Sequence, residues 1–172
     1  LDLIKRYKFV SPENRSLAVI PGISLNKNDS HGFIQTIDGR QGNSEYTRFS
    51  LDEVKFSDSP FSVKMGRNLF SLEGVELSHR IPISGEVKIS NRRPYGSSLL
   101  RPGIMGWYRY IPVMECYHGL ISTGHDLTGK LDYSGQEIDL SGGRGYMEKD
   151  WGTSFPQSYI WMQSNHFTRK DG

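Results

Sequence analysis

Apolar and polar residues alternate in short runs along most of this chain, which is the pattern of strands with one buried face. Residues 32–37, 61–65 and 86–90 show the alternation most clearly. Two further pairs of runs are joined by short turns, one at Glu73-Gly74 and one at Ser134-Gly135, and each pair predicts a tight hairpin.

Other local signals predict where strands end and where the chain turns. Residues 17–20 form an apolar run followed by Pro21-Gly22, which predicts a buried strand closed by a turn. Ser50 and Glu53 have the spacing of a capping box and predict a single helical turn. No segment of ten or more residues keeps an apolar stripe at helical spacing. We therefore predict an all-β protein with little helix, an antiparallel barrel or strongly curved sheet, with a β-sandwich as the structural rival.

Composition narrows the class of protein. The 172 residues are 35% hydrophobic and 23% charged, which fits one folded domain. The formal net charge of +2 is too small to indicate nucleic acid as a partner, and no apolar run approaches the roughly 20 residues that span a bilayer. The single cysteine, Cys116, excludes a disulfide within the chain and a thiolate zinc cage, and the five histidines lack metal-ligand spacing. One unpaired cysteine is compatible with a cytoplasmic location.

The two ends of the sequence predict that it belongs to a longer protein. It begins at Leu1 rather than at methionine, and residues 159–167 have the character of a strand. Residues 169–172 then favour a turn that would reverse this strand. We therefore expect the second arm of a hairpin to lie beyond Gly172.

Candidate catalytic residues lie near the end of the chain. If residues 146–150 form a strand, then Tyr146, Glu148 and Asp150 share one face, and Arg144 lies on the same face and could pair with an acid. Burial favours the neutral form of a carboxyl group, which can then donate a proton. The alternative is a solvated surface pair of carboxylates, and from composition alone we favour that alternative by roughly two to one.

Candidate ligand contacts lie in two aromatic stretches, 101–119 and 142–167. Aromatic rings mixed with amides suit a pocket that grips an apolar ligand with a polar end. His118 is interpreted as a packed residue rather than half of a nucleophilic pair, because no Asn or Asp lies near it in the sequence to orient it. The candidate contacts are Trp107, Tyr117, His118, Arg144, Tyr159, Trp161, Gln163 and Asn165.

Several of these motifs resemble the tocopherol cyclase-like family, in particular its uncharacterised bacterial members. The most specific is the run Glu148-Lys-Asp-Trp-Gly152 with Ser154-Phe-Pro156 after it. The other matching motifs are residues 17–23, 102–108, 114–119 and 159–166. The resemblance implies a lipocalin-like (calycin-type) fold related to carotenoid hydratases. It also implies that residues 1–172 are a single domain, the N-terminal half of a two-domain protein.

The resemblance also implies a reaction. Plant and cyanobacterial members close the chromanol ring of a prenylated quinol by protonating an alkene, and the related hydratase adds water instead. In that relative a tyrosine and an acid two residues later serve the protonation, which here points to Tyr146 and Glu148, with Asp150 as the alternative donor. Trp107, Tyr159 and Trp161 would stabilise the carbocation through their ring faces. Such a reaction needs no cofactor.

Two other functions stay open on the sequence alone. The same aromatic pocket would serve a lipocalin-like carrier that binds an apolar or prenylated molecule without changing it. Alternatively, the chain is a structural β domain whose motifs merely close the sheet. For a lipid ligand, peripheral membrane contact is a further expectation, although no amphipathic helix is predicted.

Overall fold

In a computed structural model, which describes residues 1–78, 80–100 and 102–154, the chain forms one antiparallel sheet of twelve strands. Single 3₁₀ turns lie at Leu51–Glu53 and Gly106–Tyr110. The strands are β1 (Asp2–Val10), β2 (Ser16–Ser24), β3 (His31–Asp38), β4 (Ser44–Phe49), β5 (Val54–Asp58), β6 (Phe61–Met65), β7 (Asn68–Ser71), β8 (Gly74–Leu77), β9 (Ile83–Ser90), β10 (Cys116–Tyr133), β11 (Gln136–Asp139) and β12 (Arg144–Gly152).

The sheet is strongly curled but does not close. Its order is β4-β3-β2-β1-β12-β10-β9-β8-β7-β6-β5, with β11 paired to the far end of β10. Tyr7 on β1 and Phe70 on β7 are five strands apart in this order, yet their ring centroids are 5.7 Å apart. The Tyr7 hydroxyl also donates to the Ser71 carbonyl at 2.9 Å. Curling therefore brings the two halves of the sheet together around one core.

The sheet has an inner and an outer face. On β1 and β12 the inner face carries Tyr7 and Met147, which are fully buried members of the hydrophobic core and lie opposite each other in the strand register. Because side chains alternate along a strand, Tyr146 and Glu148 point to the outer face. The core continues through Phe9, Leu17, Val19, Ile34, Met65, Val87, Leu127 and Leu131.

Most of the sequence-based elements are confirmed. The all-β, strongly curved antiparallel sheet is present, as are hairpins β7–β8 and β10–β11. The second hairpin turns at Ser134-Gly135 as predicted, whereas the first turns at Leu72-Glu73, one residue before the predicted position. Ser50 and Glu53 form the predicted capping box at the first 3₁₀ turn. No helix among the described residues is both long and apolar enough to cross a membrane.

The turn predicted at Pro21-Gly22 is wrong, since β2 runs straight through both residues. The β1–β2 ladder pairs Ile4 with Gly22 and Tyr7 with Val19 and is interrupted between them, where Pro21 has no N–H to donate. Gly22 leaves room for an aromatic ring, because a Cβ atom there would lie 2.2 Å from Cζ of Phe33 on β3. The two residues thus lie within a continuous strand, where Gly22 is directly opposite Phe33 in the β2–β3 ladder, rather than at a chain reversal.

Candidate active site

Three neighbouring strands place the candidate residues on the outer face. β12 lies between β1 and β10, and its register sets Glu148 opposite Arg6 and Asp150 opposite His118. Paired residues in an antiparallel ladder project to the same side of the sheet. We call the resulting group the outer-face cluster: Arg6, His118, Tyr146, Glu148 and Asp150.

Glu148 is the buried centre of this cluster. Its side chain is fully buried, the Tyr146 hydroxyl donates to its Oε2 at 2.7 Å, and the Arg6 guanidinium forms an ion pair with its Oε1. An arginine partner and a hydrogen bond from a phenol both stabilise the ionised form of a carboxyl group. The arrangement therefore suits Glu148 as a fixed negative charge rather than as a proton donor.

His118 and Asp150 form the more accessible part of the cluster. His118 Nδ1 lies 2.5 Å from Asp150 Oδ1, a hydrogen bond that requires one proton between the two atoms. The same imidazole has its Nε2 3.8 Å from Oε2 of Glu148. The His118 side chain is 32% exposed, whereas that of Asp150 is 14% exposed, so the hydrogen-bonded pair is partly accessible and lies beside the buried Glu148.

Tyr146 is held in its neutral form. Burial raises the pKa of its phenol to about 12; the positive charge of Arg6 opposes this shift and the carboxylate of Asp150 adds to it. At neutral pH the hydroxyl therefore stays protonated and remains a donor to Glu148. This fixes the orientation of the glutamate carboxylate from one side, while Arg6 fixes it from the other.

A groove of about 300 Å³ runs along the outer face beside Arg6. Its walls include the apolar side chains of Ala18, Ile20 and Ile37, and Gln35 supplies an amide. The groove therefore joins an apolar surface to the charged end of the cluster through Arg6. Among the residues that the structure describes, no group of three His, Cys, Asp or Glu side chains is arranged to hold a metal ion.

The structure places Tyr146, Glu148 and Asp150 on one face, as the strand parity predicts, and brings His118 to them. The statement that no Asp lies near His118 is wrong. Asp150 is 32 residues away in the chain but directly opposite in the β10–β12 ladder, a pairing that sequence proximity does not reveal.

Three other sequence predictions fare differently. Arg144 does not pair with Glu148 as expected, because it is exposed and lies four residues from Glu148, about 13 Å along the strand. Trp107 is 64% exposed, in the second 3₁₀ turn against Tyr110 rather than at the cluster. Tyr117 points to the inner face and stacks on Trp151, with ring centroids 5.5 Å apart. The predicted contacts Tyr159, Trp161, Gln163 and Asn165 lie outside the described residues.

Arg6 is the residue that the sequence analysis missed. The alternation of Arg6 and Lys8 with Tyr7 and Phe9 indicates a strand with one polar face. Nothing local indicates that this strand pairs with β12, which is more than 130 residues away in the chain. The position of Arg6 beside Glu148 therefore follows from the pairing of two distant strands and not from a sequence motif.

Comparisons with known proteins identify a family to which the chain is similar. Residues 82–172 match the family described as tocopherol cyclase-like. Over 67 residues the chain is 30% identical to a protein of Oryza sativa subsp. japonica named as a probable chloroplastic tocopherol cyclase and 28% identical to the chloroplastic tocopherol cyclase of Zea mays. Each match covers 39% of this chain and only 14% of the plant protein.

One solved structure is similar in fold, and a second gives a lower TM-score. A protein of Nitrosomonas europaea described as AttH superimposes with a TM-score of 0.51 at 10% identity, over 90% of this chain and 52% of that one. Kievitone hydratase from Nectria haematococca gives a TM-score of 0.46 at 11% identity, over 89% of this chain and 48% of that one. The first likeness supports the lipocalin-like fold, and this chain spans about half of that protein.

Proposed function

Because the chain belongs to the tocopherol cyclase-like family, we propose that it is an acid–base catalyst that cyclises or hydrates a prenylated quinol or another isoprenoid lipid. The observation that carries the proposal is the hydrogen bond between His118 and Asp150, which lies beside the buried, ion-paired Glu148. This arrangement supplies a proton next to a fixed negative charge, the two requirements for protonating an alkene and stabilising the cation that results.

The proposed reaction balances without a redox partner. The His118–Asp150 pair donates its proton to one alkene carbon, and the more substituted carbon becomes a carbocation. In cyclisation the phenol oxygen of the substrate bonds to that carbon, and the phenolic proton returns to the His118–Asp150 pair. In hydration a water molecule takes the place of the phenol oxygen, and its second proton returns in the same way. The proposal includes no cofactor, because neither product changes oxidation state overall.

The remaining residues of the cluster position these groups. Arg6 and Tyr146 hold the Glu148 carboxylate on opposite sides, so that its charge faces the developing cation without reorganising. The outer-face groove beside Arg6 would receive the isoprenoid chain on its apolar wall. In this proposal the proton donor is Asp150 together with His118. Glu148, the other candidate from the sequence, supplies the negative charge instead.

Turnover of a defined substrate tests the proposal. The full chain is incubated with a hydroquinone that carries one prenyl side chain, and the chromanol and tertiary alcohol products are separated and quantified. We expect product from the wild type, a loss of at least about 100-fold in Asp150→Asn, and wild-type turnover in the control Glu137→Gln, which alters an exposed carboxylate on β11.

Binding measured on the same variants separates a catalyst from a carrier. Substrate retained by Asp150→Asn with turnover lost supports catalysis at this residue. Substrate bound by the wild type without any product would contradict the proposal and favour a lipocalin-like carrier. Equal turnover in Asp150→Asn and Glu137→Gln would also contradict it, since the cluster would then have no part in the reaction.

A further inference from the structure

A second cavity lies on the inner face of the sheet, on the other side from the outer-face cluster. Its volume is about 400 Å³, within the range of small-molecule pockets. Most of its wall is apolar, and the main contributors are Ile23, Phe61, Val63, Met65 and Trp151. Asp150 also borders this cavity, but the proposed proton transfer takes place on the outer face.

Two lysines face each other in its wall. Lys5 on β1 lies directly opposite Lys149 on β12 in the strand register, an arrangement of like charges that destabilises a sheet. Each ammonium lies over an aromatic ring: Lys5 Nζ is 2.6 Å from the centre of the Phe61 ring, and Lys149 Nζ is 4.9 Å from that of Trp151. Within the described part of the chain, neither ammonium has a carboxylate within 4 Å.

The surroundings of Lys5 show how strongly the charge is disfavoured. Burial lowers the pKa of Lys5 to about 7; the positive charge of Lys149 adds to this shift and Asp58 opposes it. The charged residues in the wall of the cavity are these three and Asp150 at its rim. β2 contributes only Pro21, Gly22 and Ile23 to the wall, and β6 only Phe61, Val63 and Met65.

We propose that the inner cavity binds a long-chain carboxylate, with its head between Lys5 and Lys149 and its tail against Phe61, Val63 and Trp151. A carboxylate has two oxygens and can accept a hydrogen bond from both ammonium groups at once. It would relieve the repulsion between the two lysines, and the alkyl chain would bury its surface on the apolar wall. This proposal is independent of the reaction on the outer face.

Calorimetric titration with dodecanoate and dodecanol tests the head-group preference, because the two probes share one tail. We expect the full chain to bind dodecanoate about tenfold more tightly, because only the carboxylate forms charge-assisted hydrogen bonds with both ammonium groups. Lys5→Met and Lys149→Met should each reduce this preference severalfold. Lys64→Met is the matched control, because Lys64 is exposed on β6 between the cavity residues Val63 and Met65.

Proton uptake supplies a second readout. A bound carboxylate stabilises the ammonium form of Lys5, so binding at pH 8 should take up close to one proton per site in wild type and in Lys64→Met, but none in Lys5→Met. The comparison of buffers with different ionisation enthalpies measures this uptake.

If Lys5→Met fails to fold, Lys149→Met carries the affinity test, because Lys149 is exposed. Equal affinity for dodecanoate and dodecanol in wild type, or an undiminished preference in Lys149→Met, would overturn the proposal.

Discussion

His118 on β10 and Asp150 on β12 are 32 residues apart in the chain, yet Nδ1 of one lies 2.5 Å from Oδ1 of the other. The two side chains meet because β10 and β12 are antiparallel neighbours, and their register places His118 directly opposite Asp150. Beside this pair lies Glu148, fully buried and held by Arg6 and Tyr146.

Removing the partner of Glu148 should destabilise the protein severely. Arg6→Met leaves a buried carboxylate without its guanidinium, and such a loss costs about 3–5 kcal/mol in the free energy of unfolding. Urea denaturation measures the change. The double variant Arg6→Met with Glu148→Gln should recover part of the loss, because the uncompensated charge is then gone. Arg144→Met on the exposed part of β12 should change stability by no more than about 0.5 kcal/mol. An Arg6→Met protein as stable as this control would contradict the assignment of the ion pair.

Tyr146→Phe should cost about 1–3 kcal/mol, since Glu148 loses a buried hydrogen-bond donor. The pH dependence offers a separate check. The folded phenol has a pKa of about 12, above its ordinary value of 10, so the unfolded chain releases this proton first and stability falls as the pH rises from 10 towards 12. Tyr146→Phe should lose less stability over that range than wild type. Identical alkaline curves for the two proteins would show that this phenol titrates normally.

Acid should destabilise the fold through His125. Burial lowers the pKa of this imidazole to about 4, with the nearby positive charge of Arg92 adding to the shift and Asp126 opposing it. Between pH 6.5 and 4 the unfolded chain therefore binds a proton that the folded chain does not. Stability is complete above this range and falls by up to about 3 kcal/mol as the pH drops through it. His125→Gln should flatten this part of the stability curve, and an unchanged slope would argue against a buried neutral imidazole.

Gly22→Ala should destabilise the sheet by about 1–3 kcal/mol, because the added methyl group overlaps the Phe33 ring and forces it to move. Gly96→Ala is the control, since a Cβ atom at that position meets nothing within 4 Å. Thermal denaturation of the two variants measures the difference. Equal melting temperatures would mean that Phe33 does not lie over Gly22.

Local patterns predicted much of the fold. Alternation of polar and apolar residues identified β3, β6 and β9, and the turns at Glu73-Gly74 and Ser134-Gly135 identified two hairpins. Pro21-Gly22 misled because these residues favour turns in isolation, whereas here tertiary contacts with Phe33 and the interrupted β1–β2 ladder decide their conformation.

The candidate site was only partly predictable. Parity along one strand was enough to place Tyr146, Glu148 and Asp150 on one face, because the period of a strand is two residues. Arg6 and the role of His118 depend on β1 and β10 pairing with β12, and this long-range pairing cannot be seen in any local pattern of residues. Trp107 was predicted from the aromatic stretch 101–119 and from the family resemblance, whereas its side chain is 64% exposed and lies away from the outer-face cluster.

Solvent labelling tests the central claim most directly. The full chain is incubated with the prenylated hydroquinone in deuterium oxide, and the product is analysed by mass spectrometry. If the His118–Asp150 pair protonates the alkene, the product carries one carbon-bound deuterium, and Asp150→Asn forms it at least about 100-fold more slowly. Product without carbon-bound deuterium, or labelled product formed equally fast by Asp150→Asn, would contradict the account.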